Sequence, residues 1–218
     1  MYDPSRLGTT VLALARWSLA LGLASGVGTA RASPTVYQVD VTHTFAIWEV
    51  KHFGTSTSRG RFEVKSGTVS VDWDAQTGSA TIVFDMTKPD TGVGALDTAL
   101  KAGNYLDTDT YPEARFEADQ FTIEDKKVVS VRGNLTLRDK TRPVVLTSKG
   151  FNCYFNPLVG RRVCGGDFEA DIVRSDFGVR GGLPFVADAV HLLIQIEAIT
   201  ELGHDAAPRS FPGQRDDM

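Results

Sequence analysis

The sequence predicts an all-β chain of about eight antiparallel strands with one short helix, arranged as an up-and-down barrel or a sandwich. Three observations point there. From Val36 onward, apolar and polar residues alternate in short runs, the two-residue period of a strand whose faces meet different surroundings. Charged or Gly-containing breaks separate the runs, as in hairpins. A single segment carries a helical repeat instead.

The elements follow in order. Ala46 to Val50 places Ala46, Trp48 and Val50 on one face. Thr68 to Trp73 aligns Val69, Val71 and Trp73, breaks at Asp74 to Gly78, and resumes at Ala80 to Met86 with Ile82, Phe84 and Met86 together. The pair predicts a hairpin. In Ala95 to Ala102, Leu96 and Leu100 lie about one turn apart, ahead of Gly103-Asn104. The expectation is a short helix with one apolar stripe, stopped by a C-terminal glycine and able to cover a barrel mouth. Strands are then expected at Arg115 to Ile123, Val128 to Leu137 and Arg142 to Thr147, with charged turns between them. Phe168 to Arg174 and Val190 to Ala198 complete the set, the last with Val190, Leu192, Ile194 and Ile196 on one face. A barrel of this size holds either packed side chains or one small ligand. Periodicity alone favours the packed interior.

Both cysteines fall in one expected hairpin, Asn152 to Gly165, with Asn156-Pro157 and Gly160 near its tip. A register that sets Cys153 opposite Cys164 also sets Phe155 opposite Arg162. A structural disulfide is expected, contributing about 3 kcal/mol by closing a short loop.

The first 32 residues read as an export signal. Arg6 and Arg16 precede an apolar run from Trp17 to Val27, and Ala30-Arg31-Ala32 offers a small-x-small cleavage site. The run is shorter than the roughly 20 apolar residues of a membrane span, so none is expected after processing. A single domain is then expected over 33–202, with an aperiodic tail at 203–218. Removing Asp3, Arg6, Arg16 and Arg31 with the leader takes the formal charge from −4 to −6. A mildly acidic chain without a basic stripe argues against a nucleic-acid partner.

An ordered series of landmarks carries a family resemblance. Tyr37-Gln38-Val39-Asp40 with His43-Thr44 is followed by His52-Phe53-Gly54, Gly60-Arg61-Phe62 and Gly67. Later come Tyr105-Leu106-Asp107, Tyr111 to Phe116, Gly133 to Leu137 and Arg174-Ser175-Asp176-Phe177-Gly178. The series, over about Val36 to Ile199, resembles the YceI-like family. The resemblance implies an elongated lipocalin-like barrel, exported to the bacterial periplasm or secreted, whose lumen takes a long apolar molecule. A polyisoprenoid, a quinone-like prenyl chain or a fatty-acyl lipid would each gain about 0.8 kcal/mol per buried methylene. The expected wall residues are Trp48, Phe62, Val71, Trp73, Phe84, Phe116, Leu192 and Ile194. One departure stands out. Where many relatives carry Arg-Asp/Asn-x-His-Leu, this chain has Leu96-Asp97-Thr98-Ala99-Leu100, so its head-group preference is open.

No catalysis, cofactor or metal is expected. The sequence has no H-E-x-x-H, no G-x-S-x-G and no Cys/His cluster. His43 and His52 are separated by an odd number of residues, so on one regular strand they would face opposite ways. Arg174-Ser175-Asp176 suggests a salt-bridged strand end. Two other readings stay open: an enzyme on a small apolar substrate using His52, Asp107 or Asp176 as acid-base groups, and a structural or interaction protein with a filled barrel. A homodimer is left open.

Overall fold

The computed structural model describes residues 33–201. The expected leader and tail lie outside the described residues. Among the described residues nine strands form: β1 (Thr35–Val39), β2 (Phe45–His52), β3 (Ser56–Asp72), β4 (Thr77–Asp90), β5 (Glu113–Glu124), β6 (Lys127–Leu137), β7 (Lys140–Asn156), β8 (Arg161–Val173) and β9 (Val186–Thr200). One helix, α1 (Gly94–Lys101), joins β4 to β5, and a single 3₁₀ turn, Arg174–Phe177, follows β8.

Neighbouring strands pair antiparallel from β2 through β9, β8, β7, β6, β5 and β4 to β3, and β3 pairs back to β2. The hydrogen-bonded ring therefore closes, as an antiparallel barrel must. Nine strands reconcile with the expected eight because β1 and β2 share one position. β2 pairs Phe45 with Glu63 on β3 and with Gln195 on β9. β1 continues the same line, pairing Gln38 with Thr68 and with Ile199. The break falls at Asp40 to Thr44, where Asp40 accepts hydrogen bonds from the backbone and hydroxyl of Thr42 (2.9 and 2.6 Å) and approaches His43 Nδ1 (2.9 Å). His43 thus sits in a turn and not on the strand that carries His52.

The expected β3–β4 hairpin forms with Val69 opposite Ala80 and Val71 opposite Gly78. Arg142 to Thr147 and the cysteine hairpin prove to be one strand, β7, bent by a register shift between Ser148 and Gly150. At its end Cys153 faces Cys164 and Phe155 faces Arg162, as expected, and the sulfurs are bonded at 2.05 Å. The helix forms where its period placed it, but its stop differs. Ala102 is extended (φ −65°, ψ 159°) and its N–H bonds Ala99 O; Gly103 has no left-handed role. The chain turns there because Tyr105 and Asp107 both donate back to Ala102 O.

Because the strands run up and down, the turns β3–β4, β5–β6 and β7–β8 lie at one end of the barrel. The other end receives α1, the β2–β3 and β6–β7 turns and the long β8–β9 connection. Lumen-facing residues make up most of the buried set, including Val71, Ile82, Phe84, Phe116, Phe168 and Ile194. Among the described residues, no helix is long and apolar enough to cross a membrane.

Candidate functional site

A cavity of about 490 Å³ runs inside the ring. This falls within the roughly 300–1,000 Å³ of small-molecule sites and differs from the packed interior that periodicity alone favoured. Its walls are the inward faces of β1 to β9, so Val, Ile, Leu and Phe dominate.

All eight residues expected at the wall line this cavity: Trp48, Phe62, Val71, Trp73, Phe84, Phe116, Leu192 and Ile194. Trp48 and Trp73 mark its two ends. Trp73 lies beside the β3–β4 turn, donates Nε1–H to Tyr37 Oη at 3.1 Å and packs against Phe151 with ring centroids 6.1 Å apart. Trp48 belongs to a second apolar cluster with Val50 and Val190, towards the α1 end. Its indole edge crosses Gly60 on β3, leaving no room there for a Cβ. The Trp48 Nε1–H is buried without a hydrogen-bond partner.

Several lining residues escaped the sequence reading. Phe121 and Phe151 close the hairpin end, and Tyr105 and Ile172 line the other. Phe121 follows a register shift in β5 between Ala118 and Gln120, and Phe151 follows the shift in β7. Each shift exchanges the inward and outward sets, so alternation counted from Phe116 or Leu146 assigns these rings to solvent.

The α1 end is covered by two segments stitched together. Asn104 O accepts Arg180 N–H (3.2 Å) and Gly181 N–H (2.8 Å). The Tyr105 ring lies so close over Gly181 that an added Cβ would sit 2.5 Å from it. Arg138, left-handed at the β6–β7 turn (φ 56°), donates Nη1–H to Tyr105 O (3.0 Å) and Gly178 O (2.9 Å). Leu96 and Leu100 of α1 complete this wall, so an apolar side chain stands at the rim in the place of the missing basic residue, while Ala99, in the place of the missing histidine, is exposed.

Arg174 overturns the expected salt-bridged strand end. It is buried and uses its guanidinium on backbone: Nε donates to Ala187 O (2.8 Å), Nη1 to Val179 O (3.2 Å) and Gly181 O (2.8 Å), and Nη2 to Val186 O (2.9 Å). Burial lowers its pKa from the ordinary arginine value, opposed by the nearby Asp188 carboxylate and by Tyr105. Asp188 pairs with Ser175 instead, through the backbone N–H (2.9 Å) and the hydroxyl (2.6 Å), and those bonds hold its carboxyl below the usual range despite partial burial. Two acceptors, Val179 and Gly181, lie in the irregular β8–β9 connection and two, Val186 and Ala187, at the start of β9, and one planar fork of donors bonds all four at once.

The three acid-base candidates do not converge. His52 ends β2, exposed, with its ring edge against Phe53 at 4.8 Å, and lines the cavity's α1 end. Asp107 lies in the loop after α1, bonded to Thr110 Oγ1 (3.1 Å) and 3.8 Å from Arg138 Nη2. Asp176 is exposed on the 3₁₀ turn. No hydrogen bond joins any two of them. Among the described residues, no three His, Cys, Asp or Glu side chains gather as a metal site.

Comparison with known proteins bears on this architecture. A family model described as the YceI-like domain matches residues 37–198. A UPF0312 protein of Photorhabdus laumondii is 29% identical over 187 residues, covering 83% of this chain and 96% of its own length. Among solved structures, BcnA of Burkholderia cenocepacia superposes with a TM-score of 0.57 at 23% identity, over 73% of this chain and 98% of its own. A polyisoprenoid-binding domain from Saccharophagus degradans gives 0.54 at 14% identity, over 77% and 99%. At these identities the two structures share the fold with this chain.

Proposed function

Since the chain belongs to the YceI-like family, we propose that it is an exported, non-enzymatic carrier or scavenger enclosing one elongated apolar molecule in its lumen. The observation that carries the reading is the cavity of about 490 Å³, walled by inward-facing aliphatic and aromatic side chains along the barrel. Such a channel selects for shape and apolar length, because each methylene taken from water contributes about 0.8 kcal/mol. The polyisoprenoid-binding character of the Saccharophagus degradans domain agrees with a prenyl chain as occupant, and a quinone-like or fatty-acyl tail presents the same surface. The wall residues named above do the binding. Trp48 and Trp73 flank the two ends of the chain, and the apolar α1 rim leaves a polar head to Tyr105 and His52. Scattered acid-base candidates favour a carrier over an enzyme, and the periplasm or the exterior suits the disulfide.

Native mass spectrometry of the protein purified from its own cells, followed by organic extraction, tests this. A stoichiometric prenyl or acyl molecule is the expected result. An empty protein that also takes up neither geranylgeraniol nor cis-parinaric acid overturns the reading.

A further inference from the structure

The β7–β8 hairpin carries a feature that the cavity does not use. Its tip exposes Tyr154, Phe155, Leu158 and Val159, with Leu158 93% and Phe155 55% accessible. Scattered surface leucines are ordinary, but four adjacent exposed apolar side chains on one projection are not. The projection is built to hold them out. Asn156 Oδ1 accepts Leu158 N–H (2.9 Å), Asn156 O accepts Gly160 N–H (2.9 Å), and Gly160 is left-handed (φ 64°). Below the tip the Cys153–Cys164 bond ties the two strands, and Arg161 Nη1 anchors the base to Thr200 O (3.2 Å). β6 pairs with β7 only as far as Thr147, so the hairpin extends past its neighbour on that side.

Charge says what fits this surface. From Gly150 to Gly166 the only charged residues are Arg161 and Arg162, directly behind the apolar tip, in a chain whose formal charge is −4. An apolar tip backed by cations matches a bilayer surface bearing anionic head groups, where each basic residue near the surface adds attraction and aromatic side chains favour the interface. Pairing with a second copy along the free edge of β7 would form a backbone ladder and give no role to an apolar turn.

We infer that the β7–β8 hairpin docks this end of the barrel onto an anionic lipid bilayer, with Leu158 and Phe155 entering the interface and Arg161 and Arg162 at the head groups. Phe151, on the same strand, lines the cavity, which brings the hairpin end of the lumen to the lipid surface. The docking rests on the hairpin and holds whether or not the lumen carries a lipid.

Co-sedimentation of the full chain with phosphatidylethanolamine/phosphatidylglycerol vesicles, against phosphatidylcholine vesicles, tests the inference. Binding to the anionic vesicles is expected, weakening as salt rises. Leu158→Asp should lower it about tenfold or more, with the circular dichroism spectrum and cis-parinaric acid uptake unchanged. Phe185→Asp, at the opposite end, should bind as the parent does. Equal vesicle binding by Leu158→Asp overturns the inference, as does loss in Phe185→Asp alone. A dimer in sedimentation velocity that Leu158→Asp dissociates, with no vesicle binding by the parent, overturns it in favour of a protein partner.

Discussion

Trp48 lies across Gly60 of the neighbouring strand, with Cζ2 2.5 Å and Cε2 2.8 Å from where a Cβ would stand. Only a residue without a side chain allows the indole to occupy that depth. Gly60→Ala should therefore displace Trp48 towards the lumen, costing about 1–3 kcal/mol in urea unfolding. It should also shift the tryptophan emission. An unchanged midpoint and spectrum would remove Trp48 from this position.

Filling the lumen should separate folding from binding. Ala46 lines the cavity opposite Ile194 on β9. Ala46→Phe places a ring in open space, so it should cost less than the about 1–3 kcal/mol typical of a packed core. Uptake of cis-parinaric acid should fall at least about tenfold, since the ring removes apolar contact area from the occupant. Undiminished uptake by a folded variant would place the ligand outside the barrel.

Replacing Arg174 by Met leaves four carbonyls without their donor in a covered segment. A loss of about 3–5 kcal/mol is expected in urea unfolding. Arg174→Lys should recover little, because one ammonium cannot reach carbonyls spread along residues 179 to 187. A lysine variant as stable as the parent would show that charge, and not the planar fork, holds the connection.

The strands were largely legible in the residue pattern, whereas the barrel and its open lumen were legible only through the family resemblance. Strand faces such as Ile82/Phe84/Met86 and Val190/Leu192/Ile194 announce themselves by alternation because one side meets water. Taking Cys153 and Cys164 as a pair also placed Phe155 opposite Arg162, since a disulfide fixes its own register. Face assignment ended at the register shifts in β5 and β7, where one extra residue moves Phe121 and Phe151 inward without any local composition cue. Arg174 was misread for a different reason. Its neighbour Asp176 suggested a partner, whereas the actual acceptors are backbone carbonyls, which carry no sequence signal. Whether inward apolar residues fill or merely line a ring depends on its closure, a property of the whole strand set.

The break between β1 and β2 gives a pH-dependent contact. The hydrogen bond and charge of Asp40 raise the His43 pKa above its ordinary 6.5. Partial burial pushes the Asp40 carboxyl up, but bonds from Thr42 and His43 outweigh it and leave the carboxyl below its ordinary 3.8. The histidine's contribution is complete below 6.5 and disappears as pH rises through its raised pKa. The carboxylate's contribution is present above 3.8 and disappears as pH falls through its lowered pKa. The pair is therefore strongest between those limits. Imidazole chemical shifts should titrate above 6.5 in the parent and return towards it in Asp40→Asn. Coincident curves for the two proteins would dissolve the pair.

The disulfide closes a sequence separation of 11 residues. Replacing both cysteines by serine should reduce stability by about 3 kcal/mol, and a reductant added to the parent should reproduce the shift. No change in either would make the bond dispensable to the barrel.

The last strand among the described residues, β9, joins three others: β8 beside it in sequence, and β1 and β2 far towards the N-terminal side. Synthesis therefore determines when a lumen can exist. Until residues near 200 have left the ribosome, β1 to β8 can pair only as an open, curling sheet with its oily side uncovered, and contacts this distant in sequence form slowly. The nascent protein is thus kept unfinished until its β9 segment arrives, and the lumen forms in one late step rather than strand by strand.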